Sequence, residues 1–189
     1  FDHLRESGLW QSATPLEQYR AIMGVPLTVV WQTLCPQHTK HQQQQSNAYF
    51  QQALIEQIEQ GHGALYERVE ETLQYVATQF PLYVASNGQV PYLQAIMKQH
   101  DLYRSLKAVS SIDLAPSGNN SELVGNVLKE HGIPSGFVVG DRDSDIKAAK
   151  DNGLTSIGVR FDFAQESELQ HADYVVDRFE LIQEIICSR

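Results

Sequence analysis

The chain has 189 residues, 42% of them apolar, which is enough for one large domain or a core domain with a smaller insert. Its formal net charge is −9. No basic stretch is present to displace counterions from a phosphate backbone, so nucleic acid is not an expected partner, and attachment to a membrane surface is disfavoured for the same reason. No apolar run approaches the roughly 20 residues that a membrane span needs, and no signal peptide is visible. The two cysteines, Cys35 and Cys187, lie far apart and match no metal or redox spacing. They read as reduced thiols of a cytoplasmic protein.

Residues 1–62 read as helical throughout. In Thr14-Pro15-Leu16-Glu17 an N-cap residue is followed by a proline at the first helical position and an acid in the first turn. Gly24 and Pro26 stop that helix, Pro26 opens another over Leu27 to Leu34, and Pro36 closes it. A long helix is expected from about His38 to Gln60, ending at Gly61-His62-Gly63. Within it, Gln42-Gln43-Gln44-Gln45 reads as a solvated face, since glutamine is a good helix former. Tyr49, Phe50, Ala53, Leu54 and Ile58 then recur at helical spacing.

From residue 64 strands and helices alternate. Val69, Leu73, Val76 and Ala77 mark a helix face, and Pro81 to Ala85 a buried strand that runs into Ser86-Asn87-Gly88. A helix over 89–100 carries Val90, Leu93, Ile96 and Met97 on one face. A strand over Lys107 to Ile112 and a helix over 121–131, with Ser121 as candidate cap, come next. The strand 136–140 leads into a helix over 144–152. Thr155 to Val159 and Tyr174 to Val176 are strands, and 178–187 is the last helix. Such alternation implies right-handed βαβ units and a parallel sheet covered on both faces. No internal repeat is present.

The most informative stretch is Gly136-Phe137-Val138-Val139-Gly140-Asp141-Arg142-Asp143-Ser144-Asp145-Ile146. A buried strand ends in carboxylates just before a helix, which puts them at the carboxyl edge of a sheet, where open α/β folds bind ligands. Clustered carboxylates there suit a hard divalent cation, and Mg2+ pairs one or two carboxylates with substrate phosphates. Capping of the following helix is the alternative use of Asp143 or Asp145. Asp141, which directly follows Gly140, is the first candidate ligand and Asp145 the second; Asp143 is expected to be exposed or capping.

Ser86-Asn87-Gly88 occupies the same topological position, a strand end before a helix start. A hydroxyl, a side-chain amide and free backbone N–H groups there suit a phosphate, although the tripeptide is also ordinary turn chemistry. Gly118-Asn119-Asn120-Ser121 reads as a polar loop with a helix cap. Seven histidines are scattered along the chain, and the close pair His38 and His41 reads as a solvated helix face, since no third ligand lies near. No nucleotide fingerprint, P-loop or nucleophile elbow is present.

In this order, Ser86-Asn87-Gly88, the run from Val138 to Leu154, Ser156-Ile157-Gly158-Val159 and Ala172 to Val176 resemble the haloacid dehalogenase superfamily of phosphohydrolases, and within it the phosphoglycolate phosphatase-like enzymes. Leu65 to Leu73 resembles the segment by which that group re-enters its core from a helical cap. The resemblance implies an α/β fold: a Rossmann-like core over 64–189, with helices on both faces of a parallel sheet, and a small all-α cap over 1–63. It implies Mg2+ as cofactor, with Asp141 as ligand and Asp145 assisting directly or through water. Ser86 would hydrogen-bond the transferring phosphoryl group of a small phosphorylated metabolite, with Asn87 and the Gly88 backbone positioning it. The implied chemistry is attack of an aspartate on phosphorus, giving an aspartyl-phosphate that water hydrolyses.

Two departures bear on this. The family's Asp-x-Asp-Gly-Thr nucleophile motif is absent; Asp2 stands before His3-Leu4 and does not match, and Phe1 to Gly8 reads as the tail of the first cap helix. The nucleophile and the central strand are therefore expected upstream of Phe1, in keeping with the lack of an initiator Met. The family's phosphate-binding lysine is also unmatched: Asn119 and Asn120 stand where it should precede the helix, and Lys107, the nearest lysine upstream, lies at a strand start. A noncatalytic binding or regulatory protein on the same fold is the alternative reading. A phosphate-sensing receiver domain has no place for the helical insert.

Overall fold

Pro15 and Pro26 each stand at the head of a helix, where a fixed φ costs nothing and the missing N–H is not needed. The computed structural model describes residues 1–162 and 164–188. Its first helices are α1 (Asp2–Glu6), α2 (Leu16–Ala21), α3 (Leu27–Leu34) and α4 (Lys40–Glu59). The early stretch is not helical throughout: turns and extended residues separate α1 from α2 and α3 from α4. The chain divides into two compact units, Phe1–Glu56 and Gln57–Arg189, so that α4 runs across the division.

In the first unit Leu4, Val30, Trp31, Leu34 and Cys35 form the buried core. Helix α4 starts later than its pattern predicts because Thr39 caps it. The Gln42 amide N–H donates to Thr39 Oγ1 (3.2 Å), and the Thr39 N–H donates to Gln42 Oε1 (2.8 Å), a reciprocal capping box. Gln43 Nε2 donates to the carbonyls of Cys35 and His38. Half of the glutamine tract thus anchors the helix start, and only Gln44 and Gln45 are exposed. His38 likewise departs from the solvated face expected of it: it is buried, with Nε2 2.9 Å from the Leu9 carbonyl.

In the second unit the helices are α5 (Val69–Ala77), α6 (Val90–Gln99), α7 (Asn120–His131), α8 (Asp143–Asp151), α9 (Glu166–Leu169) and α10 (Ile182–Cys187). Between them lie β1 (Tyr83–Ser86), β2 (Ala108–Ser111), β3 (Phe137–Gly140), β4 (Thr155–Val159) and β5 (Tyr174–Val176). All pairings are parallel, as the alternation implies, but the strands form two sheets: β1 beside β2, and β3-β4-β5. Among the described residues β1 and β3 each have a single strand partner.

Period-2 alternation sorts the larger sheet into layers. Phe137, Val139, Ile157 and Val159 face a core built with Val76 of α5 and with Ile182 and Ile186 of α10. On the other face Gly158 lets Leu169 of α9 approach, since a Cβ there would stand 3.0 Å from Leu169 Cδ2. Ile146, Ala148 and Ala149 are the buried side of α8, which packs on β3 and β4. Burying Ile157 and Val159 completely contributes about 1.5–3 kcal/mol each.

Helix α7 begins one residue before its expected start, and Asn119, not Ser121, caps it: Asn119 Oδ1 accepts the Glu122 N–H at 3.0 Å. The Ser121 hydroxyl instead donates to Asp151 Oδ2 at 2.7 Å, and Asn152 Nδ2 donates to the Ser121 carbonyl at 2.9 Å. Gly125 permits this contact of α7 with the end of α8, because a Cβ would meet Asn152 Oδ1 at 2.9 Å. None of the described helices is long and apolar enough to cross a membrane.

Candidate active site

Strand β3 ends at Gly140, and the chain turns at once into α8, so that Asp141 and Asp145 are brought together. Asp145 folds back beneath its own helix. Its Oδ2 accepts the Arg142 N–H at 3.2 Å, and its Oδ1 accepts Asn120 Nδ2 at 3.1 Å. A Cβ at Gly140 would run into the Asp145 carboxylate, so glycine is required at that strand end. Burial pushes the Asp145 carboxyl above its ordinary range, with the nearby Asp141 charge acting in the same direction and hydrogen bonds from the Arg142 backbone and Asn120 opposing. Asp141 is half-buried and has no ion-pair partner among the described residues, whereas Asp143 is exposed.

Asp145 is therefore the residue of the turn that caps α8, and its second oxygen is held from the start of α7. Asn120 makes that connection: Nδ2 reaches both Asp145 and Ser144 Oγ (3.2 Å), while its Oδ1 is buried without a partner. Arg142 forms an ion pair with Glu168 of α9 at 3.1 Å, largely shielded from solvent, and so ties the acidic turn to the helix across it. Tyr66 lies beside the turn, stacked on Phe161 with ring centroids 4.0 Å apart. Partial burial and then the Asp162 and Asp141 charges push its hydroxyl above the ordinary range.

Ser86, Asn87 and Gly88 follow from the end of β1, each half-buried. Ser86 Oγ accepts the Gly88 N–H at 3.1 Å, which leaves the hydroxyl proton free to donate elsewhere. The Gly88 carbonyl accepts the Ser111 hydroxyl at 2.7 Å, and Ser111 Oγ in turn accepts the Asp113 N–H at 3.2 Å. The end of β2 thus holds the turn in shape. Gly88 has no room for a side chain, since a Cβ would lie 2.8 Å from Leu93 Cδ2.

The two constellations occupy equivalent positions, carboxyl ends of parallel strands, but on different sheets. Lys107 is exposed and precedes β2, at the opposite end of the strand from these residues. Sequence reasoning passed over Asn120, Arg142 and Ser111 as site residues. Asn120 carries a signal, standing where the family's lysine is expected, whereas the other two are recognisable only from their contacts. Among the described residues no group of three or more His, Cys, Asp or Glu could hold a metal alone. Mg2+ needs no such cage, because it keeps waters and adds one or two carboxylates and substrate phosphate. The Asp141–Asp145 pair, with one carboxyl costly to ionise and the other without a cationic partner, fits that requirement.

Comparison with known proteins bears on the fold and on the family. A family model described as haloacid dehalogenase-like hydrolase matches residues 3–159. No curated protein matches the chain. Among solved structures, a predicted phosphoglycolate phosphatase from Haemophilus somnus 129PT is similar at a TM-score of 0.78 and 21% identity, over 97% of this chain and 87% of that one. A predicted phosphatase from Clostridium acetobutylicum is similar at 0.77 and 20%, over 98% and 87%. A haloacid dehalogenase-like family protein from Streptococcus pneumoniae is similar at 0.75 and 17%, over 96% and 86%. At these identities the structures speak to the fold, and the family model, which spans well over half of the sequence, to membership: the chain belongs to the haloacid dehalogenase-like hydrolase family.

Proposed function

We propose that the chain serves a Mg2+-dependent phosphatase that acts on a small phosphorylated metabolite through an aspartyl-phosphate intermediate, with the nucleophilic aspartate upstream of Phe1. The observation that carries the reading is the acidic turn. Asp145 is largely buried beside Asp141, and Asp141 has no cationic partner among the described residues. Two carboxylates so placed are stabilised by a divalent cation, and Asp141 and Asp145 are the residues that would hold it. When bound, the cation offsets negative charge on the phosphoryl oxygens.

The rest falls to the chain's own groups. The Ser86 hydroxyl, with its oxygen engaged by the Gly88 N–H, has its proton to donate to a phosphoryl oxygen. Asn87 and the Gly88 backbone position the group, and Ser111 keeps the turn from relaxing. Among the described residues β1 and β3 each have one unpaired edge, which supports a further strand between the two sheets, and the nucleophile is proposed to ride on it. The neutral Asn120 at the acidic turn favours a second reading, a noncatalytic binding or regulatory protein, since a phosphate site without a lysine has less charge to hold its anion.

The intact gene product, read from its own start codon, separates the two. Hydrolysis of an aryl phosphate that requires Mg2+ and stops with chelator is the expected result. Absence of turnover, with Mg2+ binding retained, would establish the noncatalytic reading.

A further inference from the structure

Arg142 is the basic residue of the acidic turn, set between Asp141 and Asp143 with Asp145 close behind. A guanidinium is planar and permanently charged, and it matches a carboxylate through two N–H groups. In a turn so rich in carboxylates, Asp141 and Asp145 are its near partners by sequence. Pairing with them would put a positive charge where a divalent cation is proposed to sit. Arg142 turns elsewhere: its Nη2 lies 3.1 Å from Glu168 Oε1 of α9. Neither Asp141 nor Asp145 has an ion-pair partner among the described residues.

Two observations separate this pair from an ordinary surface contact. An exposed ion pair contributes little, because water screens both charges. The Arg142 and Glu168 side chains are only 15% and 20% exposed. No other ion pair among the described residues has both side chains so shielded. Shielding makes an unpaired charge at either position costly. Glu168 Oε2 is moreover buried without a hydrogen-bond partner, so the carboxylate leans on the guanidinium. The second observation is that α9 is anchored without Arg142. Leu169 is 1% exposed and packs against Gly158 of β4, while Glu166 is held by Arg160, which also pairs with Asp177. Glu168 is thus fixed from its own side, and the pair constrains the arginine more than the helix.

We propose that Glu168 is a positioning residue of the metal site: by holding the Arg142 guanidinium, it keeps that cation off Asp141 and Asp145 and leaves their oxygens open to a divalent cation. This role rests on the reading of those two carboxylates as metal holders. It adds to the site a residue that touches neither cation nor substrate.

Mn2+ binding to the intact gene product, followed without substrate by paramagnetic resonance of the free ion, tests the role through a double-mutant cycle. Glu168→Ala is expected to weaken Mn2+ about tenfold, because the released guanidinium turns to Asp141 and competes with the ion. In an Arg142→Gln background the same substitution should change the affinity less than about twofold, since no guanidinium remains to be released. Equal weakening in both backgrounds would show that Glu168 acts by its charge or its packing alone, and overturns the role. Arg142→Gln by itself should bind Mn2+ at least as tightly as wild type; weaker binding overturns the role even where Glu168→Ala does not fold. Asp141→Asn distinguishes the underlying reading. Affinity equal to wild type in that variant would show that the turn holds no metal, and the role of Glu168 falls with it. Loss of binding in Asp141→Asn beside unaltered binding in Glu168→Ala overturns the role of Glu168 alone.

Discussion

Asp145 shows how one side chain ties two helix starts to the end of a strand. Its carboxylate closes the first turn of α8 through the Arg142 N–H and holds α7 through Asn120. Because burial raises its carboxyl in the folded state, the folded chain holds that proton to higher pH than the unfolded chain. The contribution to stability is fully present below the ordinary value of 3.8 and is lost as pH rises through the raised one. The stability advantage of wild type over Asp145→Asn, measured by urea unfolding without added metal, is therefore expected to shrink as pH rises across that window. An advantage that grows with pH would contradict the assignment. The carboxylates at the strand end were legible from residue order alone. Their neighbours were not, because Asn120 and Glu168 reach the turn from elements far along the chain.

Short strands depend on side-chain clips as much as on apolar runs, and β4 and β5 illustrate it. The fully buried Ser156 donates N–H (2.8 Å) and hydroxyl (2.7 Å) to Asp173 Oδ2, and Ser156 Oγ accepts the Asp173 N–H at 2.9 Å. This exchange sets β5 against β4 just before Tyr174 pairs with Ile157. Asp173→Ala strands a buried hydroxyl and is expected to cost about 1–3 kcal/mol, read as a lower urea midpoint with unchanged slope. An unaltered midpoint would show that the clip carries no load. Most strand and helix identities from residue 64 onward were readable from apolar periodicity, since α5, α6 and α7 each bury one face and β4 is almost wholly buried. Capping was not: Asn119 and Ser121 are equally good cap residues, and Asp151, distant in sequence, draws Ser121 away. The short helix α9 carried no readable pattern, with Leu169 as its one buried residue.

At the scale of the molecule, two compact units hold separate cores, and the two thiols report on them independently. Cys187 is exposed at the end of α10, whereas Cys35 lies buried in the core of the first unit. Burial pushes the Cys35 thiol up, which lowers its thiolate fraction further. One thiol per chain should react at once with an aromatic disulfide reagent, and Cys35 only at the rate at which its unit opens; two fast thiols would contradict the buried core. The second unit places its candidate residues at the carboxyl ends of strands in two sheets, and the phosphatase proposed for it gives that arrangement a chemical meaning. The most direct test of that meaning is the turnover of an aryl phosphate by the intact gene product carrying Asp141→Asn. The metal role proposed for Asp141 predicts a fall of at least about a hundredfold, in line with the cost of removing a group that stabilises transition-state charge. An unchanged rate would show that Asp141 holds no metal and that the acidic turn is not the catalytic centre.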